Sequence, residues 1–259
     1  MFHHNQRLGR GGGRTNRGGI DPSACVLHRS NRVNSVFHRR HFIASSLSGF
    51  LLGSWAGLAA AQPSAQPAPA PPPPRLLVLG DSISAEYGLA RGQGWVTLLT
   101  QQLQEAARPV QVINASISGE TTAGGRTRLP ALLRQHSPAY VIIELGGNDA
   151  LRGLALESTR ANLNAMVDAA QAAGARVLLL GIQVPPNYGQ RYTQEFATLF
   201  ETVAQQKNTG LVPFMLEAVS APEDLDRYFQ ADRIHPNAQA QPLLLETVWP
   251  AIEALLQHA

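Results

Sequence analysis

From residue 75 onwards, short apolar runs alternate with longer amphipathic stretches. Residues 76–79 (Leu-Leu-Val-Leu) are apolar at every position, which is typical of a strand buried on both faces of a parallel sheet. Similar runs follow at 110–113, 140–145, 176–180 and 211–214, and amphipathic stretches lie at 95–107, 126–135, 159–173, 194–206 and 238–256. This alternation predicts an α/β fold, a three-layer α/β/α domain whose five-stranded parallel sheet is covered on both faces by helices.

The first 37 residues lack this alternation and are rich in Arg and Gly. Such a segment has too few apolar residues to form a core. Residues 1–37 are therefore interpreted either as a disordered extension or as sequence upstream of the true start. An RNA-binding arginine-glycine tract, which the segment superficially resembles, is a further alternative.

Residues 38–61 have the pattern of a signal peptide. Arg39 and Arg40 precede an apolar stretch, and three alanines at 59–61 offer a cleavage site before Gln62. The arginine pair resembles a twin-arginine export motif, with the general secretory route and an uncleaved membrane anchor as alternatives. Residues 62–74 form a Pro/Ala-rich linker. We therefore expect a folded domain over 75–259, periplasmic or secreted after cleavage near Ala61.

The charge and the chemically reactive side chains are distributed unevenly. Eight of the 21 Lys and Arg residues and one of the 18 Asp and Glu residues fall in 1–61, so residues 62–259 carry a net charge of −4. This balance argues against a nucleic-acid-binding domain. The only cysteine, Cys25, precedes the domain, which excludes a Cys nucleophile or a Cys-ligated zinc there. His136, His235 and His258 are the only histidines beyond residue 61.

Glycines and small polar residues follow three of the predicted strands. They lie at 80–82 (Gly-Asp-Ser), 114–121 (Asn-Ala-Ser-Ile-Ser-Gly-Glu-Thr) and 146–149 (Gly-Gly-Asn-Asp). Ligands of open parallel sheets bind beyond the carboxyl ends of the strands. We therefore expect these three segments to meet at one edge of the sheet and to form a binding site.

Ser82 is a candidate nucleophile in that site, because a serine on a turn becomes reactive when a base takes its proton. His235 is the candidate base, and Asp232, three residues earlier, is the candidate group that orients its imidazole. Each residue also has a purely structural interpretation. Ser82 is compatible with a helix N-cap, His235 with a surface residue before the last helix, and Asp232 with a solvated loop carboxylate.

Acyl transfer also needs hydrogen-bond donors for the oxyanion that develops in the transition state. The candidate donors are the backbone N–H groups of Ser82 and Gly119 and the side-chain amide of Asn148, each after a different strand. The alternative for Asn148 is a turn residue after Gly146-Gly147.

Taken together, these segments resemble the SGNH subclass of the GDSL-type serine hydrolases, named for residues that correspond here to Ser82, Gly119, Asn148 and His235. The likeness extends over 75–256 and is strongest to the periplasmic thioesterase and lysophospholipase members. It implies a flavodoxin-like sheet, a mobile segment at 150–155, and hydrolysis of acyl esters and thioesters through a serine acyl-enzyme without a metal or other cofactor.

From this resemblance we expect a monomer that acts on small-molecule acyl esters or thioesters, with transient lipid contact and no nucleic-acid partner. Two other functions stay open: an esterase for acetylated carbohydrate or another short-chain acetyl ester, and a non-catalytic lipid-binding module. Glu144 stands out as a carboxylate in an apolar strand. We expect it to be paired with Arg126 or Arg128, because a buried charge needs a partner. Asp81 receives no catalytic role, because Asp232 is the acid assigned to the histidine.

Overall fold

The computed structural model describes residues 71–184 and 186–257, so the predicted extension, the signal peptide and most of the linker lie outside the described residues. Five parallel strands form one sheet in the order β2-β1-β3-β4-β5. This is the flavodoxin-like order: β2 is added on one side of β1, and β3, β4 and β5 are added on the other side, so the switch point lies between β1 and β3. The strands are β1 Arg75–Gly80, β2 Gln111–Asn114, β3 Tyr140–Glu144, β4 Arg176–Leu180 and β5 Gly210–Val212.

Helices cover the sheet on both faces. The crossover from β1 to β2 runs one way along the sheet and the later crossovers run the other way, so right-handed connections place their helices on opposite faces. Accordingly α1 packs on α7, while α2 packs on α4 and α4 on α5. The helices are α1 Trp95–Glu105, α2 Thr122–His136, α3 Gly147–Leu151, α4 Leu156–Ala172, α5 Gln190–Lys207, α6 Leu225–Tyr228 and α7 Gln241–Gln257.

The core lies between the sheet and these helices. All five residues of β3 are buried, as are positions 76–80 of β1. Helix α1 buries Trp95, Leu99 and Leu103 along one face, at the helical spacing of an amphipathic element. The predicted three-layer α/β/α class and its five parallel strands are thus confirmed. Within the described range, no helix is both long and apolar enough to cross a bilayer.

The element bounds differ from the sequence predictions at particular ends. Helix α2 begins at Thr122 rather than 126, because Thr121 caps it by accepting a hydrogen bond from the Gly124 N–H at 3.3 Å. Pro130 lies within this helix and does not end it. Helix α3 was not predicted, since five residues are too few for an apolar period. Strand β5 covers 210–212 instead of 211–214.

Candidate active site

Ser82 lies on a turn directly after β1 and close to the switch point of the sheet. The Ala85 N–H donates to the Asp81 carbonyl at 2.9 Å, and the Tyr87 N–H donates to the Ser82 carbonyl at 3.2 Å. These bonds fold the chain back on itself before α1, whose N-cap is Gly94. Ser82 therefore caps no helix, and the N-cap interpretation of this serine is wrong.

His235 and Asp232 reach Ser82 from the segment that precedes α7. His235 Nε2 lies 2.9 Å from Ser82 Oγ, and His235 Nδ1 lies 2.7 Å from Asp232 Oδ2. The three side chains thus form a hydrogen-bonded series across 153 residues of chain. This geometry allows the imidazole to take the hydroxyl proton while the carboxylate holds its other nitrogen.

Asp232 also organises the backbone around the histidine. Its Oδ1 accepts hydrogen bonds from the Ile234 N–H at 2.9 Å and the His235 N–H at 3.0 Å. Partial burial alone would raise the pKa of Asp232, but the hydrogen bonds from His235 and Ile234 outweigh it and hold the pKa at about 2. The carboxylate is therefore ionised at neutral pH, and as an acceptor at Nδ1 it fixes the tautomer that carries its proton there.

Contacts within the histidine segment, and from it to the serine turn, set the position of the imidazole. Gln230 Nε2 donates to the Tyr87 carbonyl at 2.8 Å and to the Pro236 carbonyl at 3.3 Å. The Gln230 N–H donates to the His235 carbonyl at 2.8 Å, and Phe229 and Pro236 form an isolated antiparallel bridge. The Tyr87 ring lies against the imidazole, with 4.4 Å between ring centroids.

The candidate oxyanion donors lie at the ends of β1, β2 and β3. Among the described residues, the backbone N–H groups of Ser82 and Gly119 donate no hydrogen bond and so are available to a substrate. Gly119 has φ +80°, a conformation that favours glycine, and its carbonyl accepts a hydrogen bond from Arg152 Nη2 at 2.8 Å. Asn148 is the second residue of α3, and its Nδ2 donates to Asp81 Oδ2 at 2.9 Å.

Two carboxyl groups are buried below the nucleophile. Glu144 pairs with Gly80 in the β1–β3 register and is 2% exposed. Its Oε2 accepts hydrogen bonds from Ser84 Oγ at 2.8 Å and from the Asp81 N–H at 3.3 Å. A Cβ on Gly80 would come within 2.8 Å of this carboxyl group and within 2.7 Å of Ser84 Oγ, so a larger residue there would displace this pair.

Burial, and after it the charge of Asp81, raises the pKa of Glu144 well above its ordinary value. Burial likewise raises the pKa of Asp81 to about 6, against the hydrogen bonds from Ile83 and Asn148. The expected pairing of Glu144 with an arginine is wrong. Arg126 donates to Asn162 Oδ1 and Arg128 to Glu120 Oε2. The raised pKa of Glu144 favours its protonated form, which avoids the cost of an isolated buried charge.

Sequence reasoning set Asp81 aside, overlooked Tyr87 and Gln230, and did not connect Arg152 with Gly119. Of these, only Asp81 carried a local signal, because it lies next to the candidate nucleophile. The contacts of Tyr87, Gln230 and Arg152 join segments that are far apart in the chain, and no spacing rule connects them. His136, one of the other two histidines of the domain, ends α2 and is not part of the site.

The sequence matches the model of the GDSL-like lipase/acylhydrolase family over residues 78–242. Esterase TesA of Pseudomonas aeruginosa is 55% identical over 181 residues, which cover 70% of this chain and 89% of that protein. Thioesterase 1/protease 1/lysophospholipase L1 of Escherichia coli is 40% identical over 183 residues, 71% of this chain and 85% of that protein. A crystal structure of TesA aligns with a TM-score of 0.67 at 54% identity and covers 70% of this chain and 99% of that one.

The family match covers more than half of the chain, and it contains all four segments that meet at the carboxyl edge of the sheet. The relatives align over most of their own length as well as over the folded domain. The chain therefore belongs to the GDSL-like lipase/acylhydrolase family.

Proposed function

We propose that the protein is an exported serine esterase that hydrolyses acyl esters and thioesters through an acyl-enzyme on Ser82. The observation that carries this proposal is the series of contacts at 2.9 Å from Ser82 Oγ to His235 Nε2 and at 2.7 Å from His235 Nδ1 to Asp232 Oδ2. Such a series activates a hydroxyl group that is otherwise a weak nucleophile.

In this mechanism Ser82 Oγ attacks the acyl carbonyl carbon while His235 Nε2 removes the hydroxyl proton. The oxyanion of the tetrahedral intermediate accepts hydrogen bonds from the N–H groups of Ser82 and Gly119 and from the Asn148 amide. Collapse of the intermediate breaks the bond to the leaving group, and His235 protonates the departing alkoxide or thiolate. Water, deprotonated by His235, then hydrolyses the acyl-enzyme, releases the carboxylic acid and restores Ser82.

The distribution of exposed apolar side chains favours an acyl substrate over a carbohydrate ester. In the described part of the chain, every exposed large hydrophobic residue lies in a segment after one of β1 to β4 or beside His235. Apolar surface near a site favours an aliphatic chain or a lipid, because contact removes that surface from water. These residues are Tyr87, Ile117, Leu151, Leu154, Tyr188 and Ile234.

A matched pair of serine variants tests the catalytic proposal. Ser82→Ala is expected to abolish both hydrolysis of p-nitrophenyl butyrate and covalent labelling by a fluorophosphonate. Ser158→Ala removes an exposed hydroxyl at the start of α4 and is expected to leave both unchanged. A Ser82→Ala protein that is folded and still turns over the ester refutes the proposal. An unaltered protein that binds lipid but takes no label supports the non-catalytic lipid-binding alternative instead.

A series of p-nitrophenyl esters from acetate to palmitate separates the candidate substrates. A kcat/KM that rises beyond the acetyl ester supports the acyl-chain proposal, and parallel assays with an acyl-CoA and a lysophospholipid compare thioester and lipid ester. The acetyl esterase alternative requires activity confined to acetate.

Export, domain limits and oligomeric state are also part of the proposal. Residues 38–61 have the composition of a signal peptide, so the exported protein is expected to begin at or near Gln62. N-terminal sequencing of protein recovered from the periplasm or medium tests this. A monomer is expected in light scattering coupled to size-exclusion chromatography, and an intact N-terminus or a stable dimer contradicts the respective expectation.

A further inference from the structure

Asp81 is a buried carboxylate next to the nucleophile, and the mechanism above leaves it without a task. It is 3% exposed, and both oxygens accept hydrogen bonds. Oδ1 accepts from the Ile83 N–H at 3.1 Å, which holds the carboxylate within its own turn. Oδ2 accepts from Asn148 Nδ2 at 2.9 Å. Among the described residues, the bond to Asp81 is the only hydrogen bond of the Asn148 side chain.

A carboxamide needs such a connection if it is to stabilise an oxyanion. Its terminal torsion is broad, and its N–H₂ and carbonyl ends have nearly the same shape but opposite hydrogen-bonding roles. A flipped amide would present its carbonyl oxygen to the oxyanion and repel it. An ionised carboxylate only accepts hydrogen bonds, so at Asp81 it selects the N–H₂ end. One N–H is then directed at Oδ2, and the second is left for the substrate.

The surroundings of Asp81 determine which of the two buried carboxyl groups keeps its proton. Glu144 Oε2 accepts a hydrogen bond from the Asp81 N–H at 3.3 Å and another from Ser84 Oγ. Ser84 Oγ in turn accepts a hydrogen bond from Trp95 Nε1 at 3.2 Å. Two carboxyl groups this close do not both ionise readily. Glu144 is the more deeply buried, and Asp81 is held by two donors and by the nearby His235. Asp81 is therefore the member of the pair that ionises first.

We propose that Asp81 is a positioning residue of the oxyanion site, which acts through Asn148 by fixing the orientation of its amide. This role rests on the proposed esterase function and adds to the three oxyanion donors a polar residue that touches no substrate atom. The geometry assigns to Asp81 an effect on transition-state stabilisation rather than on substrate binding. The reason is that the Asn148 amide binds the carbonyl oxygen of the substrate only after that oxygen gains charge.

A double-mutant cycle between Asp81 and Asn148 tests this role. Kinetics of p-nitrophenyl butyrate hydrolysis are measured for the unaltered protein, Asp81→Asn, Asn148→Ala and the double variant. Loss of one oxyanion donor costs about 100- to 1000-fold in kcat. We expect Asp81→Asn to lower kcat by about 10-fold or more with KM within about 3-fold, and to cost less than about 2-fold once Asn148 is alanine.

An equal loss from Asp81→Asn in both backgrounds overturns the proposal, since it means that Asp81 acts through His235 or the backbone of the turn. Asp81→Ala, compared in the same two backgrounds, is a second variant that removes the acceptor altogether. Asp168→Asn is the matched control: Asp168 lies on α4, where it pairs with Lys207 at 2.7 Å, and its kinetics are expected to be unchanged. Absence of Ser82-dependent turnover in the unaltered protein refutes the proposed function, and this role with it.

Discussion

Asp81→Asn is expected to make the fold more stable at neutral pH. An ordinary aspartate has a pKa of 3.8, and burial raises the pKa of Asp81 to about 6. Between these two values the folded protein holds a proton that the unfolded chain has released, so stability falls as the pH rises through this window. The difference of about 2 pH units corresponds to about 3 kcal/mol, at about 1.36 kcal/mol per unit. Asparagine keeps the shape and does not titrate, so it avoids this loss.

The measurable quantity is the free energy of unfolding of Asp81→Asn minus that of the unaltered protein. From pH 4 to pH 7.5 it should rise by about 2.4 kcal/mol, because pH 4 is already slightly above the ordinary pKa of 3.8. The groups that face Asp81 are Glu144 and His235, and both are present in the two proteins. Asp232, whose pKa is lowered to about 2, changes stability only at more acidic pH and cancels in the difference.

Urea unfolding followed by tryptophan fluorescence at five pH values between 4 and 8 supplies these free energies. The same curves for Glu144→Gln show how much of the pH dependence belongs to the pair rather than to Asp81. A difference that stays constant within about 0.5 kcal/mol from pH 4 to pH 7.5 would refute the reasoning, because it would mean that Asp81 is not destabilised by its burial. Greater stability together with lower turnover is the expected combination for a charge that is buried for function.

Three further predictions concern the segments around Ser82. Asp232→Asn should lower kcat by about 10³- to 10⁴-fold with the fold intact, because the amide holds the wrong imidazole tautomer. Steady-state kinetics measure the loss and circular dichroism checks the fold; a loss below 10-fold contradicts the prediction. Gln230→Ala removes one hydrogen bond from the histidine segment to the serine turn and one within the histidine segment. It should therefore cost about 1 to 2 kcal/mol of stability and lower kcat, and an unchanged Tm in calorimetry counts against it. Glu86→Gln should lower stability at pH 7 by about 1 kcal/mol, because hydrogen bonds from Gly92, Gly94 and Thr97 outweigh partial burial and lower the pKa of Glu86. The difference in stability should shrink as the pH falls below 4.5, the ordinary pKa of a glutamate. Urea unfolding curves in which it does not shrink contradict the assignment.

The strands could be predicted from the sequence because the sheet is buried on both faces. A central strand such as β3 must be apolar at nearly every position, so its composition alone identifies it. Helix starts were harder to predict. The first turn of α2 is Thr-Ala-Gly-Gly, whose small residues show no apolar period, and its beginning depends on the Thr121 cap. The five residues of α3 depend on the tertiary structure, so local pattern could not predict that helix.

The candidate site could be located because its parts obey two local rules. Residues after parallel strands share one edge of the sheet, and Asp232 and His235 are three residues apart. The contacts that orient these groups follow no such rule. Gln230 meets the Tyr87 carbonyl across 143 residues, and this contact depends on how the segment before α7 packs over the serine turn. Sequence patterns therefore indicate which side chains are candidates for the chemistry, while tertiary packing determines how each side chain is oriented.

Glu144 shows why a correct physical rule led to a wrong partner. A buried carboxyl group avoids the cost of isolation either by pairing with a cation or by keeping its proton. The sequence-based expectation was the first, with Arg126 or Arg128 as the partner, but both guanidinium groups bind elsewhere. With the proton kept on Glu144, Asp232 is the carboxylate that contacts His235 in the described part of the chain. It stabilises the imidazolium that forms when Ser82 gives up its proton.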